Sequence, residues 1–313
     1  MIIVAHADWG TDPNKQWMAV ARGSDINNLL LHTPERVLSA RSLVKELCGN
    51  TDAQLFMGFD FPIGVPLAYA KRLRIISFRE LLENAGRGSL SKFFDLAETA
   101  RDVSMYRPFY PKRPGGTLRK HLVEGLGVDS FHDLLRHCDR ATRSRGAACA
   151  LFWTLGGQQA GKAAISGWRE ILQPAITDPS TDIALWPFDG DLDELLRTKQ
   201  IVAAETYPAE AAIQIGLGVP GRGWSKRSVN DRISKAETIL SYAVKIDVSL
   251  SKELRNDIGG GFGTGKHGED RFDATIGLLS MIGVMKGLRS SGTPPSDEVR
   301  AIEGWILGQE TSQ

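Results

Sequence analysis

The chain has 313 residues, 42% of them hydrophobic, and its 38 Lys and Arg against 37 Asp and Glu give a net charge of +1. That length predicts one core carrying a large insertion, and the balanced charge excludes whole-molecule attraction to polyanions or membrane surfaces, leaving such binding to local patches. The three cysteines, Cys48, Cys138 and Cys149, match no CxxC or Cys/His zinc spacing, which points to reduced thiols in a cytoplasmic setting.

The opening Met1-Ile2-Ile3-Val4-Ala5-His6-Ala7-Asp8 has no basic segment before its apolar stretch and so does not read as a signal peptide. No apolar run approaches the ~20 residues needed to cross a bilayer, which predicts a soluble, cytoplasmic protein with no membrane partner. Ile2 to Ala7 and Gln16 to Arg22 are short apolar runs around the turn-rich Gly10 to Lys15, the pattern of a β-hairpin. Asn28 to His32 is a third candidate strand. Val37, Leu38, Leu43, Val44 and Leu47 then recur at helical spacing up to Gly49-Asn50. Leu55 to Phe61 has the continuous apolar character of a strand buried on both faces, closed by Pro62 and Pro66.

From Leu67 to Thr198 the pattern changes to longer helices joined by loops, read as an insertion. Ile201 to Thr206 restores the buried-strand pattern, and Tyr207-Pro208-Ala209-Glu210 opens a helix. A second helix is expected over Ser228 to Val244, a flexible glycine loop over Gly259 to Gly265, and a strong helix over Glu269 to Leu288. The expected organisation is thus a discontinuous α/β core over 1–66 and 199–290, a mainly helical insertion over 67–198 and a C-terminal extension over 291–313. In that extension Ile302 to Leu307 could dock, and the last few residues are expected to be loose.

Asp8, Asp60 and Glu205 each stand at or near the carboxyl end of a buried-looking strand. An ionised carboxylate there is costly unless paired or bound to a cation. Any one of them alone reads equally well as a turn former or helix cap. Three in succession suggest convergence on the crevice beyond the strand ends, where open α/β sheets gather ligands. Asp270 and Asp273, spaced i, i+3, share one face at the start of the last core helix. Complementarity to the helix dipole accounts for Glu269 and Asp270, but less well for Asp273, which the apolar Ala274 to Leu279 directs toward the sheet. Clustered carboxylates raise one another's pKa unless a divalent ion neutralises them, and oxygen-only ligation is the chemistry of Mg²⁺ or Mn²⁺.

The order β-β-β-α-β-(insertion)-β-α, with Asp8 on the first strand, Gly58-Phe59-Asp60-Phe61-Pro62-Ile63-Gly64-Val65-Pro66, Glu205-Thr206-Tyr207-Pro208-Ala209-Glu210 and Asp270-Arg271-Phe272-Asp273-Ala274, resembles domain-of-unknown-function family 429. That family is regarded as predicted ribonuclease H-like nucleases related in layout to RuvC-type resolvases. The resemblance covers the core strands and last core helix. It implies a mixed five-stranded ribonuclease H-like sheet flanked by helices, with the insertion between the fourth and fifth strands. It also implies a nucleic-acid substrate and phosphodiester hydrolysis by two cations about 4 Å apart. In that scheme Asp8 bridges both ions, Asp60 and Glu205 hold one, and Asp273, with or without Asp270, holds the other. Lys266 and His267, just before the last helix, could meet the leaving oxygen or could simply be a solvated loop pair. Trp9 follows the first Asp where the family commonly has Gly, which places an indole at the approach to the ions.

Between residues 101 and 145, Arg101, Arg107, Lys112, Arg113, Arg119, Lys120, Arg136, Arg140, Arg143 and Arg145 outnumber the acids, with Tyr106, Phe109 and Tyr110 interleaved. This segment reads either as a grip on a phosphate backbone with base stacking or as a solvated helical face. Phe152 to Lys162, with Gln158 and Gln159, reads either as polar groups over the site or as close helix packing. Gly260 to His267 approaches a phosphate-binding loop but has His where Ser or Thr would bind Mg²⁺. Two further classes stay open: ATP-dependent phosphotransfer of the actin, Hsp70 and sugar-kinase type, which needs a second copy of the core, and a non-catalytic binding module of the same fold.

Overall fold

The computed structural model describes residues 1–49, 53–156 and 160–311. Among these described residues eight strands form one mixed sheet. They are β1 (Ile2–Asp8), β2 (Trp17–Gly23), β3 (Leu30–Leu31), β4 (Glu35–Arg36), β5 (Gln54–Phe59), β6 (Ile183–Leu185), β7 (Ile201–Glu205) and β8 (Ser249–Leu250). Their order is β6-β7-β5-β1-β2-β3-β8, with β4 paired to β2. β2 is antiparallel to β1, β3 and β4, whereas β1, β5, β7 and β6 run parallel. The sheet is larger than the expected five strands because β4, β6 and β8 are two or three residues long. Runs so short carry no periodicity to read.

Alternation along the strands divides the interior. Ile3, Ala5 and Ala7 of β1, Met57 and Phe59 of β5, and Ile201 and Ala203 of β7 enter the core shared with the segment 67–177. Val4, Phe56, Val202 and Ala204 face the opposite way, onto the helix Gly268–Met285. That helix lies across β1 and β2. Its close approach depends on two glycines. A Cβ at Gly277 would stand 2.3 Å from the His6 ring, and one at Gly58 would stand 2.2 Å from Met281 Sδ. His6 is wholly buried and its Nε2 is 2.7 Å from Thr206 Oγ1, so β1 and the end of β7 are tied beneath the helix.

Several expectations need correction. The first helix covers only Leu43–Cys48, because Glu35–Arg36 pairs with β2 and Leu38 is 90% exposed. The helix expected over Ser228 to Val244 is two, Val229–Ser234 and Ala236–Lys245, broken at Lys235. The segment 67–198 consists of short helices and turns rather than long helices, and it contributes β6 to the sheet. It is held by buried aromatic rings, with Trp168 packed against Phe78, Phe93 and Phe109. The glycine loop is anchored rather than free, since the buried Arg232 donates to Gly261 O at 2.7 Å and Gly263 O at 2.8 Å. Ile302 to Leu307 docks as expected. The docking extends further, because Leu307 N donates to Glu205 O at 2.9 Å and Gln309 is also buried. Gln158 and Gln159 lie outside the described residues.

Candidate functional site

A cleft of about 620 Å³ opens beyond the carboxyl ends of β1, β5 and β7, bounded among others by Trp9, Asp60, Glu205, Tyr207, Lys226 and Arg145. Such a position follows from a parallel sheet whose connecting segments diverge past the strand ends. Asp8 and Asp60 meet here for a reason of register. Ala7 pairs with Phe59 in the parallel ladder, so the next residue on each strand emerges side by side on the face carrying His6 and Gly58. Asp273 comes to the same place from the long helix, one turn beyond its start.

The charges at this point are poorly balanced. Burial, then the neighbouring Asp60 and Asp273 carboxylates, hold Asp8 well above the usual carboxylate range. Burial pushes Asp60 up to about 7 against the opposing pull of hydrogen bonds from Trp9 N–H, at 2.6 Å from Oδ1, and from Asp8. Asp273 is raised by burial, opposed by Lys226. Lys226 Nζ is ion-paired to Asp273 Oδ2 and lies 3.4 Å from Glu269 Oε1. Asp273 Oδ1 is buried with no hydrogen-bond partner among the described residues. A buried carboxylate oxygen left without a hydrogen bond to accept is costly, which marks it as a candidate ligand atom.

Of the other anticipated residues, Asp270 stands close enough to raise Asp8, and His267 Nδ1 lies 3.4 Å from Asp270 Oδ2. The His267 ring packs against Trp17 at 5.5 Å between centroids. Lys266 is exposed in the preceding loop. Glu205 lines the cleft, but its carboxylate is directed elsewhere. It pairs with Phe59 in the β5–β7 ladder and therefore faces the opposite side of the sheet from Asp60. There Arg136 donates to both its oxygens at 2.6 Å, and Ile63 N donates to Oε2 at 2.7 Å. Arg136 also makes a two-pronged pair with Asp139, at 2.9 Å from Nε and 2.8 Å from Nη2.

Among the described residues, the one group of three potential ligands lying within 4.8 Å of one another is Cys138, Asp139 and Glu205, a buried set that could hold a metal ion. Its chemistry fits poorly, because the Arg136 guanidinium is already paired with both carboxylates and burial holds the Cys138 thiol up, in its protonated form. Asp8, Asp60 and Asp273 are spaced more widely. Their donor set is all oxygen, Asp273 Oδ1 is unpaired among the described residues, and the Lys226 ammonium stands at Asp273 Oδ2. Those features fit a hard divalent ion better.

The basic segment also differs from expectation. Arg136 and Arg145 are buried, the latter pairing with Glu210 at 3.0 Å, while Lys112 and Arg113 pair with Glu98. Phe109 and Tyr110 are buried and cannot stack on bases, and Tyr106 is the exposed ring of the three. Trp9, expected at the approach to the acids, borders the cleft beside Asp60, but its indole is only 4% exposed and packs edge-on against Phe59 and Phe61. Lys226 was not anticipated. It lies in a polar, glycine-rich loop that offers no periodicity, and only the fold brings it to Asp273.

No family model matches the chain, and no curated protein or solved structure gives a significant match. No helix among the described residues is long and apolar enough to cross a membrane.

Proposed function

We propose that the protein is a metal-dependent phosphodiester hydrolase of the ribonuclease H-like class, a nuclease of the family 429 type, using Asp8, Asp60 and Asp273 to hold Mg²⁺ or Mn²⁺. The observation that carries this reading is the buried, unpartnered Oδ1 of Asp273 beside two carboxyl groups, Asp8 and Asp60, that burial and then the charge of Asp273 raise. The strand order β3-β2-β1-β5-β7, with β2 alone reversed, also supports it. Asp270 extends the acidic set at its outer edge. Glu205 is assigned to Arg136 and to shaping the cleft wall. When bound, the divalent ion would supply charge neutralisation at the phosphate and a more acidic water. Trp9 N–H holds Asp60 in place, Phe59 and Phe61 keep water from the back of the cluster, and His267 beside Asp270 stands where a proton could be passed to bulk solvent.

The test is calorimetry with Mn²⁺ on the wild type and on Asp8→Asn, with cleavage assays on branched DNA, single strands and RNA–DNA hybrids. Mn²⁺ binding that is lost in Asp8→Asn, together with Mn²⁺-dependent cleavage of one of these substrates, is expected. Binding unchanged by Asp8→Asn would sink the proposed site. Mn²⁺ binding without cleavage of any substrate would favour a non-catalytic module, and stabilisation by ATP with Mg²⁺ but not by nucleic acid would favour phosphotransfer.

A further inference from the structure

Lys226 is ion-paired to a buried carboxylate, yet it also borders the open cleft. Its Nζ engages Asp273 Oδ2, lies 3.4 Å from Glu269 and acts on Asp8, while its side chain remains 31% exposed. The backbone beneath it is fixed. Arg232 Nη1 donates to Lys226 O at 2.5 Å, and Ser225 N donates to Asp231 Oδ2 at 2.7 Å. The flexible four-carbon stem is therefore the part free to move, and Lys226 lines the cleft. Glu269 would not be stranded by such a movement, because Arg227 Nε is 3.9 Å from its other oxygen.

An ammonium and a divalent cation cannot share these oxygens. At ~4 Å the repulsion of even unit like charges is several kcal/mol at the effective dielectric near a protein surface. Resting on the metal site proposed above, we propose that Lys226 is the resting occupant of the cation position, and that metal binding expels its ammonium into the cleft, where it becomes an anion-binding residue for the substrate's phosphate. Metal and polyanion would then bind with positive cooperativity, each favouring the same displaced lysine.

The experiment measures Mn²⁺ affinity by calorimetry for the wild type, Lys226→Met, Lys226→Gln and Lys226→Arg, with thermal melts to establish folding. It then measures binding of a short fluorescent single strand with and without Ca²⁺. The two neutral variants are expected to bind Mn²⁺ roughly 10-fold or more tightly than the wild type, with Lys226→Arg close to the wild type. Ca²⁺ should tighten strand binding by the wild type, and that gain should vanish in the neutral variants. Mn²⁺ binding by the neutral variants but not by the wild type would support the proposal equally. Equal or weaker Mn²⁺ affinity in both neutral variants, with the wild type binding normally, overturns the role of Lys226 and leaves the metal site standing. Absence of Mn²⁺ binding from all four proteins overturns both.

Discussion

Asp8 and Asp60 stand next to each other at the ends of two parallel strands, one residue past the Ala7–Phe59 pair, with their carboxyl groups close enough to share a hydrogen bond. Burial and then the Asp60 carboxylate make Asp8 hold its proton more tightly than a free carboxylate does, and burial does the same for Asp60 against the opposing hydrogen bond from Asp8. The fold keeps this unfavourable contact while hydrogen-bonding Asp60 to Trp9 N–H, and the contact becomes favourable when a cation lies between the groups.

The first prediction concerns stability in the absence of metal. Asp8→Asn removes an acid whose charged form burial, Asp60 and Asp273 all disfavour, and should stabilise the protein by about 1 kcal/mol in EDTA, while weakening Mn²⁺ binding at least ~100-fold. Urea denaturation and calorimetry on the same preparation check it. A variant that is both less stable and unimpaired in metal binding contradicts the proposed arrangement.

A second prediction is a pH dependence of known sign. Asp60 is raised from 3.8 to about 7, so its contribution to folding is fully present below the unfolded value and is lost as pH rises through about 7. Allowing for its partial contact with solvent, metal-free protein should lose on the order of 2 kcal/mol from this group between pH 4 and pH 8. The difference between wild type and Asp60→Asn across that range isolates the effect. A flat difference refutes it.

Glu205 provides a contrast. Glu205→Gln leaves Arg136 with Asp139 as its one carboxylate partner in a buried place and should cost about 3 kcal/mol. Because that carboxylate faces away from Asp60, Mn²⁺ affinity at the Asp8 cluster should change by less than ~3-fold, judged against the sub-kcal/mol coupling of independent sites. A large loss of metal affinity in a folded Glu205→Gln protein would restore this residue to the ligand set.

Gly277→Ala sets two effects against each other. Alanine gains about 1 kcal/mol over glycine in a helix interior. Its Cβ, however, would stand 2.3 Å from a His6 ring that is pinned at 2.7 Å to Thr206, so the helix must lift from the sheet at about 1–3 kcal/mol. Net destabilisation with a matching loss of metal affinity is expected, since the displaced helix carries Asp273. Urea melts and Mn²⁺ titration read both.

The sequence by itself determined the parts that rest on local pattern. β1, β2, β5, β7 and the long helix appear within a few residues of their expected bounds, because buried strands and long apolar helices are written in short-range pattern. Tertiary structure alone decided the partners. Whether Glu205 joins Asp60 or Arg136 depends on the β5–β7 register, in which a shift of one residue exchanges the faces of the sheet. Likewise Arg136 and Arg145 sit in a segment that reads as a charged surface, and the folded chain buries both against Glu205 and Glu210. Lys226 reaches Asp273 across 47 residues of sequence, a distance over which composition carries no information about which charges will meet.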